Sequence, residues 1–353
     1  MKHYVGLDVS MKETSICIVD ESGKNVYEQS VLSDPISIVE CLKNTNLSIE
    51  KIGLESGSIS YWLTTQLLKY EMPVICIDAR HIAAILSMNV NKTDKNDARG
   101  IANAMRCGLY REVKLKPQAN VDIEVLLAAR KGLVKQRTTL KNTIRGLLKT
   151  YGIRLGAITG NKKFLNTVRS HIKDSSSIVQ VSIETLLGTF EVLEIQIDKL
   201  ERQLKDIAEA DSDITLLKTI PGVGLITAIS FKMAIGDPLR FADSRNVGAY
   251  FGMTPQQYAS GEISKQGRIS KCGHTEVRSL LVEAATVLMT RTKLWSKLKA
   301  WGLKIMRKKG VKKASVAVGR KLAVIMHRML ITKEPFRLTD KEEKEIKKEK
   351  VAV

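Results

Sequence analysis

The chain has 353 residues, 44% of them apolar, with 57 Lys and Arg against 37 Asp and Glu for a net charge of +20. That length allows two or three domains with real cores, and the surplus of cations points to a polyanionic partner, because each Lys or Arg that neutralises a phosphate releases a counterion. Aromatics are only 5%, which argues against binding dominated by base stacking along a single strand.

The charge is unevenly spread. Residues 1–110 hold 11 basic and 13 acidic side chains, whereas residues 111–353 hold 46 basic and 24 acidic. The five cysteines, Cys17, Cys41, Cys76, Cys107 and Cys272, never form a C-x-x-C pair, which disfavours a zinc ribbon, a redox motif or a disulfide framework. With no apolar run long enough for a membrane span and no signal-peptide pattern at the start, the expected setting is the reducing cytoplasm, beside the nucleoid, without membrane association.

In chain order, HYVGLDVS, TSICIVD and NVYEQSVL read as three short strands joined by polar turns, an antiparallel meander. A helix near Pro35 to Lys43, the strand KIGLES, the helix SYWLTTQLLKY, the strand PVICID and the helix HIAAILSMN follow, giving an α/β layer architecture on a mixed sheet. Asp94 to Arg106 reads as one more helix, capped by Thr93 or Asp94. Residues 121–150 are long, helical and basic. Leu186, Phe190, Leu193, Ile197, Leu200, Leu204 and Ile207 then repeat at spacings of four and three, a seam that suits an antiparallel helical pair or a dimer stalk. Beyond Asp211, two short helices flank Pro221-Gly222-Val223-Gly224, a loop rich in Gly, Ser and Lys runs from Thr254 to His274, and a clean helix follows. KEEKEIKKEK, near the end, reads as a frayed helix or tail. The expected divisions are 1–115, 116–210, 211–335 and a charged tail, 336–353.

Four carboxylates suggest chemistry. Asp8 lies mid-strand among apolar residues, Glu55 ends the strand KIGLES, and Asp94 and Asp97 stand three apart at a helix start, so that both point to one side. A lone buried carboxylate is costly, but several gathered around a cation are tolerable, and oxygen donors without His or Cys suit Mg2+ or Mn2+. Each has a structural alternative: Asp94 as a cap, Asp97 favouring the helix dipole, Glu55 as a solvated strand end. Only Asp8 resists one, and Asp78 is the nearest competitor for the set. An Asp on strand one, a Glu ending strand four and two Asp opening a later helix is the layout an RNase H-like nuclease needs.

Two further segments bear on phosphate. Gly222 and Gly224 allow close approach to a phosphate ahead of free helix N–H groups, like the hairpin of helix-hairpin-helix DNA-binding modules; a tight helix connection is the more frequent reason for such a pair, and the basic context tips the balance modestly towards DNA. In the loop, Ser260 beside Gly261 has room for a phosphate, and Lys265, Arg268 and Lys271 are nearby cations suited to a pentavalent transition state. Chemistry alone leaves Ser260, Ser264, Ser270 and Tyr258 as alternatives.

The strings GLDVS, GLES, KTDKNDARGIA, IPGVG, RFADSRNVGAYFGMTP, SG and GRISKCGHTEVRSLLVEAA, in this order from about residue 3 to about residue 290, resemble the DEDD transposases of the one-ten insertion-sequence family, which includes Piv-type DNA invertases. The resemblance implies an RNase H-like (RuvC-like) α/β N-terminal domain with a metal-binding tetrad at Asp8, Glu55, Asp94 and Asp97. It further implies an α-helical coiled-coil linker and a mostly helical C-terminal transposase domain with Ser260 as nucleophile. Double-stranded donor and target DNA, a structured guide (bridge) RNA and a homodimer or homotetramer are the partners it implies. A metal-dependent junction nuclease, a Piv-like invertase and a nonenzymatic nucleic-acid-binding protein are the competing readings.

Overall fold

The computed structural model describes residues 1–87 and 91–338, so the segment KEEKEIKKEK and the last two residues of the expected helix HIAAILSMN lie outside the described residues. Two compact units divide between Lys116 and Pro117.

The first unit runs β1 (His3–Val9), β2 (Glu13–Val19), β3 (Asn25–Leu32), α1 (Pro35–Asn44), β4 (Ile49–Glu55), α2 (Ser60–Lys69), β5 (Val74–Ile77), α3 (Ala79–Leu86) and α4 (Asp94–Cys107). Its sheet has the order β3-β2-β1-β4-β5, with β1 antiparallel to β2 and parallel to β4. Because side chains alternate across a strand, Val5, Leu7, Ile16, Ile18, Ile52 and Leu54 share one face, where they bury against Ile38, Leu42, Leu63 and Leu67 of α1 and α2. The opposite face carries Cys17 and Val19, which pack with Ala98 and Ala102 of α4.

That second face is unusually shallow where α4 crosses it. Gly6 and Gly53 are direct neighbours on β1 and β4. A Cβ on Gly6 would lie 2.0 Å from the Ala98 carbonyl oxygen and 2.5 Å from the Ala102 nitrogen, and one on Gly53 would lie 2.6 Å from the Met105 side chain. The glycine pair, together with the small residues Ala98 and Ala102, lets helix backbone rest on strand backbone.

The second unit contains α5 (Gln118–Lys149), α6 (Asn161–Ile172), α7 (Ser177–Glu209), α8 (Ser212–Leu217), α9 (Leu225–Ile235), α10 (Asn246–Tyr250), β6 (Pro255–Ser260), β7 (Ile263–Ile269), α11 (Thr275–Thr290) and α12 (Lys297–Thr332). The long helices α5 and α7 are antiparallel, tied by Arg130–Glu201 and Arg137–Glu194 pairs, both at 2.6 Å. The heptad seam of α7 faces inward. Phe190 joins Ile144, Leu148, Phe164 and Val168, while Leu204 joins the larger core of Ile214, Phe231, Phe251, Leu281 and Leu322. The segment expected as a loop from Thr254 to His274 is instead built around the hairpin β6–β7, and α12 is broken at Gly310, whose φ of 78° and ψ of 165° are not helical.

A histidine is among the polar groups sealed in this second core. His327 on α12 is fully buried, with Nε2 2.9 Å from the Pro238 carbonyl and Nδ1 2.9 Å from the Ser244 hydroxyl. A carbonyl only accepts, so Nε2 carries the proton and the neutral ring accepts from Ser244. Burial lowers the imidazole pKa and the nearby Arg240 adds to the effect, against opposing contributions from the Pro238 carbonyl and Asp243. A base whose folded pKa is depressed binds protons more readily when unfolded, so its stabilising contribution is present above the ordinary value of about 6.5 and is lost as pH falls through the depressed one. The thermal midpoint of this unit is expected to drop by a few degrees between pH 7 and pH 5, and less so in His327→Gln, as read by circular dichroism.

No helix among the described residues is long and apolar enough to cross a membrane. The five cysteines are free thiols, with Cys17, Cys41 and Cys76 buried and Cys107 and Cys272 exposed.

Candidate functional site

Asp8 stands two residues beyond Gly6 on β1, and Glu55 stands two beyond Gly53 on β4. The direct pairing of the glycines therefore places both carboxylates on the face that α4 covers, at the carboxyl ends of two parallel strands. Asp94 and Asp97 occupy the first turn of α4, Asp94 one turn and Asp97 one residue before the Ala98 that rests on Gly6. Thr93 is the cap, its hydroxyl accepting from the Asn96 N–H at 3.2 Å, so Asp94 is released from that duty. Asp97 is buried, while Asp8 and Glu55 are half-buried.

The electrostatics tie these side chains together. Burial comes first in raising the Asp8 carboxyl to about 6, and the charges of Asp97, Asp94 and Glu55 push the same way, opposed by Lys92. Glu55 is raised by burial and by Asp97, again opposed by Lys92. Among the described residues, no hydrogen bond or ion pair engages the side chain of Asp8, Glu55, Asp94 or Asp97. Asp78, the competitor, is fully employed. It caps α3 through the Arg80 N–H at 2.9 Å and pairs with the Arg80 guanidinium at 2.8 Å, which helps hold its carboxyl below the usual range.

Three or more His, Cys, Asp or Glu side chains are nowhere gathered closely enough to grip an ion as they stand, among the described residues. Like charges repel, and carboxylates without a counterion spread apart. The donor chemistry nonetheless fits one kind of ion: four hard oxygen ligands with no nitrogen or sulfur, suited to Mg2+ or Mn2+.

In the second unit, Ser260 is the last residue of β6, paired with Ile263 across a two-residue turn in which Gly261 has a φ of 54°. A positive φ at the first central residue is what such tight hairpin turns require. Every residue of β6 is exposed, Tyr258 lies opposite Lys265, and Lys265, Arg268 and Lys271 are exposed as well. Along a strand, Ser260 and Tyr258 share one face, so Lys265 is a diagonal neighbour of the serine hydroxyl. Ser264 sits on β7 opposite Ala259, and Ser270 lies at the hairpin base, where its N–H donates to Thr254.

The base of the hairpin is fixed by a residue to which sequence reasoning gave no role. Arg278 is buried on α11 and donates through Nη1 to the carbonyls of Phe251 and Cys272, both at 3.0 Å, and through Nη2 to the Thr275 hydroxyl at 3.1 Å. The two chains entering and leaving the hairpin cross at glycines: a Cβ on Gly252 would lie 2.2 Å from the Cys272 oxygen, and one on Gly273 would lie 2.0 Å from the Tyr250 oxygen. The signal was the arginine closing the RISK-x-G-x-x-x-x-R string, but nothing in a string indicates that a guanidinium turns inward.

Gly222, expected to approach phosphate, has a φ of 94° and rests on α11, where a Cβ would lie 2.7 Å from the Ala284 oxygen. Contact with a helix backbone accounts for this glycine. Gly224, the residue preceding α9, faces open space.

A transposase model of the DEDD type matches residues 5–153, and a model described as the transposase IS116/IS110/IS902 family matches residues 214–300. A transposase for insertion sequence element IS1111A from Coxiella burnetii is 31% identical, with 94% of this chain and 91% of the relative covered. A putative transposase of Sinorhizobium fredii is 28% identical over 92% of this chain and 84% of its own length. The pilin gene-inverting protein of Moraxella bovis is also 28% identical, over 95% of this chain and 98% of that one. The family to which this chain belongs is thus that of the IS110 transposases, enzymes that act on DNA.

Proposed function

We propose that the protein cuts and rejoins double-stranded DNA through a covalent bond to Ser260, assisted by a divalent cation held by Asp8, Glu55, Asp94 and Asp97. The observation that carries this reading is that Asp8 and Glu55 on the sheet and Asp94 and Asp97 at the start of α4, none with a hydrogen-bond or ion-pair partner among the described residues, act on one another electrostatically, so that Asp8 and Glu55 are raised by burial and by neighbouring carboxylates. The sheet order β3-β2-β1-β4-β5 supports an RNase H-like (RuvC-like) fold for residues 1–115. We assign residues 116–210 to a helical linker, 211–335 to the transposase domain and 336–353 to a tail.

Bound at the tetrad, Mg2+ or Mn2+ supplies Lewis-acid polarisation of a phosphoryl oxygen. The protein's own groups do the rest. The Ser260 oxygen forms a bond to phosphorus as the bond from phosphorus to the outgoing strand oxygen breaks; the serine proton passes to solvent and the released oxygen takes one up. Lys265, Arg268 and Lys271 stabilise the charge on the phosphoryl group, while Arg278 holds the hairpin base so that the serine is presented at a fixed tip. One phosphodiester replaces another at nearly equal energy, so no nucleotide is consumed. The backbone at Gly224, before α9, is assigned to a DNA phosphate.

Three features of the proposal rest on the family resemblance together with the basic surplus: a structured guide RNA that pairs with donor and target, a homodimer or homotetramer, and a cytoplasmic setting. Base pairing then carries sequence choice while the protein reads backbone. The inverting relative makes DNA inversion the neighbouring activity.

Labelled DNA incubated with the protein and Mg2+ is expected to yield a protein-linked product on a denaturing gel, with the attachment mapped by mass spectrometry to Ser260, and none from Ser260→Ala, which still binds DNA. A free nick without an adduct identifies a junction nuclease that uses water. Attachment at Tyr258, Ser264 or Ser270 removes Ser260 from the reaction.

A further inference from the structure

Residues 284–333 contain no Asp or Glu and fourteen Lys or Arg, together with two of the chain's three tryptophans. On the first part of α12, Lys304, Arg307, Lys308 and Lys309 are exposed, and Lys312 and Lys313 continue the patch past the Gly310 break. Among the described residues, none of these six cations is in an ion pair. Ordinary surface helices interleave both signs; this one concentrates one sign without neutralising it.

Trp295 lies at the foot of the same helix, just before its Ser296 cap. It is 50% exposed, costly for the largest apolar side chain unless something covers it. It is nevertheless held in place from below. The buried Lys299 ammonium lies 5.7 Å from its ring centre and is itself anchored to the Thr292 carbonyl at 2.5 Å. Together Trp295, Ala300, Leu303, Lys304, Arg307 and Lys308 line a groove of about 500 Å3. The spacing of three and four from Ala300 to Lys308 puts those five along one stripe of the helix, with Trp295 just ahead of it: a flat ring, then a small apolar floor, then cations.

We propose that this groove binds an unpaired nucleotide of a DNA strand, with the base stacked on Trp295 over Ala300 and Leu303 and its flanking phosphates on Lys304, Arg307 and Lys308. A duplex hides the faces of its bases, so an exposed indole gains little from it, whereas every unpaired base offers a π-face. Charge selects a polyanion, and the DNA chemistry of the family makes the strand DNA, since exchange between duplexes exposes unpaired nucleotides. Neither the carboxylates nor Ser260 line this groove, and the inference does not depend on their assignment.

The test is fluorescence anisotropy on the full-length protein with labelled probes: short oligothymidylate, an abasic strand of the same length, oligouridylate and a duplex. Trp295→Ala is expected to weaken oligothymidylate binding about tenfold, with Trp295→Phe restoring most of it and the abasic and duplex affinities unchanged. Because the side chain is half in solvent, the melting temperature is expected to stay at the wild-type value. Unaltered oligothymidylate binding by Trp295→Ala overturns the proposal, as does an equal loss on all four probes, which marks a backbone or folding effect. A loss confined to oligouridylate overturns it in favour of RNA.

Discussion

Asp8→Asn is expected to lower recombination on the order of a thousandfold or more, and at the same time to make the metal-free protein more stable at pH 8. The first effect follows from removing one of four carboxylates that make no hydrogen bond or ion pair among the described residues. The second follows from the raised carboxyl. The folded value of about 6 lies above the ordinary 3.8, so stability is greatest below the ordinary value and declines as pH rises through about 6, where the ionised group becomes a burden. Asparagine keeps the shape without the charge. Because Asp8 is half in solvent, the gain is discounted to on the order of 1 kcal/mol, and it should vanish at pH 4. On the proposed assignment Mg2+ binds the folded protein alone, and it is then expected to raise the melting temperature of the parent protein and to raise that of the variant much less. Calorimetry with and without chelator, beside a recombination assay, reads both. Full activity in Asp8→Asn would sink the metal assignment and leave the carboxylates structural.

Gly6→Ala is expected to cost about 3 kcal/mol and lower the melting temperature of the first unit by roughly 10–15 °C. The new Cβ meets the Ala98 carbonyl oxygen at 2.0 Å and the Ala102 nitrogen at 2.5 Å, main-chain atoms that yield only if α4 moves bodily away from the sheet. Such a shift carries Asp94 and Asp97 away from Asp8 and Glu55, so activity falls even at temperatures where the variant remains folded. Gly132→Ala is the control of opposite sign. That glycine lies inside α5 with open space around it, and alanine there is expected to stabilise by roughly 0.5–1 kcal/mol. A melting temperature for Gly6→Ala equal to that of the parent would show that the helix does not rest on the strand.

Much of the first unit was legible in the sequence because its strands are short, β-rich runs bounded by polar turns, in which Val5 and Leu7, Ile16 and Ile18, and Ile52 and Leu54 recur every second position on one core face. Thr93, with Asp94 and Asp97 behind it, announced the start of α4 in the same way. The glycine pair was not legible, since Gly6 and Gly53 acquire meaning only when strands 47 positions apart are laid side by side. The serine hairpin escaped for the opposite reason. Every side chain on β6 is exposed, so no buried face imprints an alternation, and Gly261 looks like any loop glycine. The seam from Leu186 to Ile207 predicted its helix, but a heptad does not say which partner it seeks; Arg130–Glu201 and Arg137–Glu194 supply the answer within the chain. Gly222 illustrates the limit of a motif, because its positive φ serves packing on α11.

Thr93 caps the start of α4 with its own hydroxyl, and Asp78 caps α3, so neither helix start draws on Asp8, Glu55, Asp94 or Asp97 for its cap. Under the proposed assignment of these carboxylates to a cation, chain assembly does not have to wait for ion capture. A cell poor in divalent ions would accumulate a correctly shaped but silent protein rather than a misfolded one, and a later influx would switch on the whole accumulated stock at once.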